Sequence, residues 1–163
     1  MRGGRVGVLD SGWAEASPEV AAAGEAALVA LEAEGAVRVP IHIPLAGLAH
    51  PIGVMNIATE TMGALTDDLL NHAAQMGDDL RLLLNIFERV TARDYLIATR
   101  TRAGLRRQVA AAIAGVDLLA LPTTLTTAPA YPLSETGRAV SDDTATRNMC
   151  RFSFLANTTG LPA

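Results

Sequence analysis

The chain has 163 residues, half of them hydrophobic and 18% charged, which is enough for one compact core and too little for two domains. Its net charge of -4 comes from acids scattered among arginines, so no one-signed surface is laid out for nucleic acid or an anionic membrane, and neither partner is expected. No stretch approaches the roughly 20 uninterrupted apolar residues that span a bilayer, and Met1-Arg2-Gly3-Gly4-Arg5 lacks the apolar run of a signal peptide, so a cytoplasmic protein is expected.

The opening run Arg5-Val6-Gly7-Val8-Leu9 is β-branched and apolar and ends at Asp10-Ser11-Gly12, the pattern of a buried strand running into a turn. Ser17-Pro18-Glu19 then offers an N-cap, a proline at the first helical position and an acid in the first turn. Val20, Ala23, Ala27, Leu28 and Leu31 recur at helical spacing until Gly35 stops the helix. Residues 37–43 predict a second strand, and a strand-helix-strand crossover makes the two strands parallel. The turn Asp10-Ser11-Gly12-Trp13 lacks the glycine series that lets a backbone approach a pyrophosphate, so nucleotide binding is not expected.

Pro40, Pro44 and Pro51 punctuate the next connection, after which the pattern predicts three helices, over residues 53–65, 67–75 and 78–89. Thr91 is placed to cap a long helix reaching residue 114, with Asp94 near its start and Arg100, Arg102, Arg106 and Arg107 later, an order that suits the helix dipole. Tyr95, Ala98, Leu105, Val109, Ala112 and Ile113 form its apolar stripe, which leaves the arginines as a solvated face. Residues 116–121 predict a third strand, apolar enough to be buried on both sides. A proline-bearing loop over residues 122–140 follows, with Thr123, Thr124, Thr126 and Thr127 at its start, and loops of this length usually carry function or disorder. Ser141-Asp142-Asp143 then caps a last helix over residues 144–156. Strands alternating with helices give an α/β class, a partial sheet flanked by helices.

Few constellations for chemistry emerge. Cys150 is the single cysteine, so it makes no disulfide within the chain and no thiolate zinc site, and it is expected as a buried thiol. His42, His50 and His72 have neither an i, i+4 ligand nor a cysteine at finger spacing, and no metal or cofactor is expected. None of Ser11, Ser17, Ser134, Ser141 and Ser153 lies in a Gly-x-Ser-x-Gly elbow, and Ser11 next to Gly12 reads as a turn serine. The acid pairs Asp78-Asp79 and Asp142-Asp143 both precede apolar helical patterns and read as caps. All 13 basic side chains are arginine. Arginine stays protonated at any ordinary pH, so a mechanism resting on a lysine base is excluded for these residues alone.

Three segments in order carry a resemblance. The first is Arg-Val-Gly-Val-Leu-Asp from Arg5, continuing through Ser17-Pro18-Glu19-Val20 to Leu-Glu-Ala-Glu-Gly-Ala at Leu31. Next come Asp94-Tyr95 with Ala98 and Arg102, leading to Asp117-Leu118-Leu119-Ala120-Leu121-Pro122-Thr123-Thr124 and Ala128-Pro129. Asn157-Thr158-Thr159-Gly160-Leu161-Pro162-Ala163 closes the series. Together they resemble the second half of amidase-signature enzymes, a family that includes bacterial amidases, the A subunit of the glutamyl/aspartyl-tRNA amidotransferase and allophanate hydrolases.

The resemblance implies a partial mixed sheet flanked by helices, a fragment of the family's α/β/α sandwich. It also implies carboxamide hydrolysis by a serine nucleophile, a second serine in a cis peptide and a lysine base, since a desolvated amine can relay a proton. Neither a Gly-Ser-rich catalytic stretch nor a lysine occurs here. The expectation is therefore a single partial domain over residues 1–163, the C-terminal part of the family's domain and itself interrupted at the end. It would hold no catalytic residues, be inactive alone and fold marginally in isolation. What it would keep is a share of the substrate pocket wall, at Thr123, Thr124 and Leu125. Arg81 falls near a position where some relatives bind a substrate carboxylate, but without a secure register it is not assigned. The implied partners are a small amide substrate and a complementary catalytic half or a second copy of the chain. The alternative is a noncatalytic binding or interaction module that associates through exposed sheet edges. A self-contained enzyme using His or Asp chemistry finds no supporting constellation.

Overall fold

The computed structural model describes residues 3–130 and 142–163, with strands β1 (Arg5–Leu9), β2 (Val37–Ile41) and β3 (Leu118–Ala120). The helices are α1 (Asp10–Glu15), α2 (Pro18–Ala33), α3 (Ala49–His72), α4 (Asp78–Phe87), α5 (Ala92–Ile113), α6 (Asp143–Cys150) and α7 (Ser153–Thr159). The strands form one parallel sheet in the order β2-β1-β3, with Val6 opposite both Arg38 and Leu118. The expected parallel crossover is thus present, and the part of the sheet carried by the described residues is all-parallel.

The two-residue period of β1 divides the core. Val6 and Val8 face α2 and pack with Leu28, Leu31, Trp13 and Ala120. Leu9 faces the other way, into a cluster with Ile41, Ile52, Leu105, Val109 and Leu155. Alternate side chains of one strand therefore serve two helical layers, an α/β/α sandwich. A third cluster, around Ala58, Leu84 and Phe87, lies between α3 and α4.

Local chemistry explains some of the boundaries. Ser17 accepts from the Val20 N–H at 3.4 Å and Pro18 occupies the first helical position of α2. At α5, the Thr91 hydroxyl accepts from the Asp94 N–H at 3.2 Å while the Asp94 carboxylate accepts from the Thr91 N–H at 3.0 Å, a complete capping box. Gly160 follows α7 with φ of 76°, a left-handed turn that glycine adopts without a Cβ penalty.

Several boundaries differ from the sequence expectation. Helices expected over residues 53–65 and 67–75 are one helix, α3, followed by a single 3-10 turn at Ala73–Gln75. Thr66, read as part of the break, donates its hydroxyl back to the Met62 carbonyl, and Asn71 does likewise to the Asp67 carbonyl at 2.9 Å. Polar side chains that satisfy themselves on the helix give it no reason to end. The Asp10-Ser11-Gly12 turn is instead the start of α1, in which Gly12 is buried where an added Cβ would lie 3.2 Å from Pro122 and 3.6 Å from Phe152.

Strand β2 stops at Ile41 rather than residue 43 because its partner β1 stops at Leu9. Strand β3 spans three residues rather than six, and Leu118 is 36% exposed, so it is not buried on both faces. Its only recorded partner among the described residues is β1. The helix expected over residues 144–156 is two, α6 and α7, parted at Arg151 and Phe152. Asp142 caps α6 as expected, accepting from the Ala145 N–H at 3.0 Å. Ser134, Ser141, Pro132, Gly137 and the stretch 131–140 of the long loop lie outside the described residues.

Candidate functional site

In a parallel sheet every strand ends on the same edge, and loops from that edge are the favoured place for a ligand site. Here three connections meet there: α1 after β1, the 3-10 turn Ala46–Leu48 after β2, and Leu121 to Leu125 after β3. Thr123 is exposed, while Thr124 and Leu125 are half-buried. The segment is held by its backbone. The Ser17 N–H donates to the Leu125 carbonyl at 2.7 Å, and the Leu125 N–H donates to the Asn148 carbonyl of α6 at 2.9 Å. Thr124 donates its hydroxyl to the Thr126 carbonyl at 2.9 Å, and Thr127 donates to Glu19 at 3.3 Å.

A narrow crevice of about 10 Å³ lies among Ser11, Glu15, Gly47, Arg151, Phe152 and neighbours. That is room for about one water. A much larger groove of about 310 Å³ runs between α3 and α5, lined by apolar Pro51, Met55 and Ile97 with Thr101 and Asp94 at its rim. Neither cavity is lined by Thr123, Thr124 or Leu125.

The candidate chemistry disperses. His42 and His72 are exposed, and His50 stacks edge-on against Phe154 with ring centroids 5.0 Å apart. No three His, Cys, Asp or Glu side chains gather to hold a metal ion among the described residues. Cys150 is half-buried rather than enclosed. Ser11 is exposed in α1. Arg81 is taken up by an ion pair with Asp78, one turn away on α4.

Two carboxyl groups are displaced from their ordinary range, both for structural reasons. Hydrogen bonds from Thr91 hold Asp94 low, and the Arg38 guanidinium, through its hydrogen bonds first and its charge second, holds Glu25 low.

Sequence reasoning missed two arginines. Arg102, assigned to a solvated face, donates Nε to the Thr158 carbonyl at 2.6 Å and so ties α5 to α7. Arg151 donates Nε and Nη2 to the Glu15 carboxylate at 2.8 and 3.0 Å and Nη1 to the Gly47 carbonyl at 3.3 Å. The one signal for the first was its interruption of a partly apolar helix face. For the second there was none, since Arg151 sits inside what reads as a single helix.

Set against known proteins, the chain matches the amidase family over residues 1–163. It belongs to that family. An amidase of Pseudomonas putida is 32% identical over 149 residues, covering 89% of this chain and 31% of that protein. A fatty acid amide hydrolase of Medicago truncatula is 30% identical over 133 residues, covering 81% of this chain and 22% of its own length. A crystal structure of an amidase has the same fold, with a TM-score of 0.77 at 24% identity over 95% of this chain and 36% of that one. The amidase-family chain thus spans about a third or less of the length of the relatives it matches. Among its described residues, no helix is long and apolar enough to cross a membrane.

Proposed function

We propose that these 163 residues form part of a carboxamide-hydrolysing unit, supplying scaffold and substrate-pocket wall to a site whose nucleophile and base come from outside them. The observation that carries this is a chain of the amidase family in which every basic side chain is arginine. A guanidinium does not give up its proton, so these residues cannot provide the lysine base that the family resemblance implies. The substrate is a small amide, and that it is an amide is supported by the names of the amidase and fatty acid amide hydrolase relatives. Thr123, Thr124 and Leu125 form its wall from the carboxyl edge of the sheet, the three connections there supporting that assignment. On this reading residues 1–163 are one partial domain, working in the cytoplasm with a complementary catalytic half.

A second reading, a noncatalytic module that associates through sheet edges, has one observation in its favour. The Val37 N–H donates to Gly4, so with a two-residue period Pro40 turns its backbone away from β1. Lacking an N–H, Pro40 blunts the outer edge of β2, and β3 is the edge left for an added strand or a second copy.

Ammonia release from a panel of carboxamides, measured beside circular dichroism and urea unfolding of the same sample, separates these readings from an independent enzyme. A cooperatively folded chain with no turnover is expected. Turnover that survives repurification would overturn the proposal, because the chain would then hold a complete site of its own, and its loss in a Ser11→Ala variant would place the nucleophile at Ser11.

A further inference from the structure

Two of the three connections at the carboxyl edge of the sheet share a single side chain, and the third is tied to the helix that precedes it. Arg151 reaches α1 through Glu15 and the turn after β2 through the Gly47 carbonyl, and it follows α6 directly. One helical turn earlier on α6, the Asn148 carbonyl accepts from the Leu125 N–H, and the Leu125 carbonyl in turn accepts from the Ser17 N–H, two residues beyond Glu15. The links close a circuit: Glu15 to Ser17 along the chain, Ser17 to Leu125, Leu125 to Asn148, then along α6 to Arg151 and back to Glu15. Thr123 to Leu125 hang from the middle of it.

The placement suits orientation better than stabilisation. The Arg151 side chain is 20% exposed and Glu15 is 42% exposed, so solvent screens much of their attraction. The bidentate fork nevertheless fixes the angle between two segments, which a single point charge would not. The Phe152 ring, 5.8 Å from the guanidinium carbon, limits its swing.

We propose that Arg151 is a positioning residue: by holding Glu15 and Gly47 together it sets where the Thr123 to Leu125 wall stands relative to the other two strand ends. The proposal rests on the reading of that segment as pocket wall, but its test does not require turnover. The circuit contains its own reporters, the Ser17 and Leu125 amides, while the Leu48 amide, which donates to Leu45 at 2.9 Å, reports on the turn after β2.

Residue-resolved amide exchange would be followed by NMR on the full chain, with the Leu105 and Val109 amides of α5 as internal reference. In Arg151→Met, exchange at Ser17, Leu125 and Leu48 should rise about tenfold or more while the reference amides change less than about twofold. Arg151→Lys, which keeps the charge and loses the fork, should fall between. In the swap Glu15→Arg with Arg151→Glu, protection should return at Ser17 and Leu125 but not at Leu48, because a carboxylate cannot donate to the Gly47 carbonyl. Unchanged exchange in Arg151→Met would overturn the proposal, as would an equal rise at every amide, which marks a general stabiliser. Detection of amide hydrolysis by the chain alone would remove the scaffold reading and leave this result standing.

Discussion

Replacing Gly53 by alanine sets two effects of opposite sign against each other. Gly53 lies inside α3, where alanine is the better helix former by about 0.8–1 kcal/mol, so propensity alone makes the variant more stable. The packing says otherwise. An added Cβ would stand 2.9 Å from Cγ of Phe154, with Cδ1 and Cε1 of that ring nearer still. The ring is backed by His50, edge-on at 84°, so either α7 shifts away from α3 or Phe154 leaves its rotamer.

Overpacking of this kind costs about 1–3 kcal/mol, and subtracting the propensity gain of about 0.8–1 kcal/mol leaves a net loss between about zero and 2 kcal/mol. With a urea m-value of about 2 kcal/mol/M, the unfolding midpoint should fall by up to about 1 M. The decisive comparison is a double-mutant cycle with Phe154→Ala. Once the ring is gone the clash is gone, and Gly53→Ala should then raise stability by close to the propensity value. The same sign in both backgrounds, or stabilisation in the wild type, would refute the reasoning that Gly53 exists for the contact between α3 and α7.

Two further perturbations test the helical layers. Thr91→Ala removes half of the capping box of α5 and should cost about 1 kcal/mol near neutral pH. The Asp94 carboxyl is held low in the folded state, so its contribution is complete above the unfolded pKa and disappears as pH falls through the folded one; the cost of Thr91→Ala, measured by urea unfolding, should shrink below about pH 4. Leu105 and Leu84 are both fully buried, yet in different clusters, and truncating either to alanine should cost about 2–5 kcal/mol locally. Hydrogen exchange should separate them: Leu105→Ala weakens the sheet and every helix on it, whereas Leu84→Ala loosens α4 and the second half of α3 and spares β1.

What the sequence disclosed and what it withheld divide along the range of the interactions. Ser17-Pro18, Thr91 with Asp94, and Asp142 act within four residues, and each cap stands where the local chemistry puts it. The strand-helix-strand crossover was legible for a similar reason, since the period of Arg5 to Leu9 and the stop at Gly35 are local. The ends of β2 and β3 were not, because a strand ends where its partner ends and the partner is far along the chain. The break at Arg151 and Phe152 lies within an uninterrupted helical pattern, and what accompanies it is a pair of ties to Glu15 and Gly47. Of the candidate site, the proposed pocket-wall residues came from family resemblance, while the ties of Arg151 become visible only when segments from opposite ends of the chain are brought together.

The all-arginine composition has a structural consequence as well as a chemical one. Arg5 donates Nε to the Gly115 carbonyl at 2.6 Å, closing the start of β3 onto β1 while its own N–H donates to Asp117 at 2.7 Å. Arg38 grips Glu25 through two bonds of 2.8 Å, with Glu32 2.9 Å from its Nε, and so fastens β2 to α2. Arg102 joins α5 to α7, and Arg151 joins α1 to the turn after β2. In two of these four cases a planar fork satisfies two or three oxygens at once, which a compact ammonium on a flexible stem does poorly. The same guanidinium that cannot serve as a base at neutral pH is well suited to fastening strands and loops. A chain rich in such ties and empty of lysine fits the proposed role of a scaffold, in which its contribution to hydrolysis would be geometric: setting where the wall of a pocket stands, while the proton moves elsewhere.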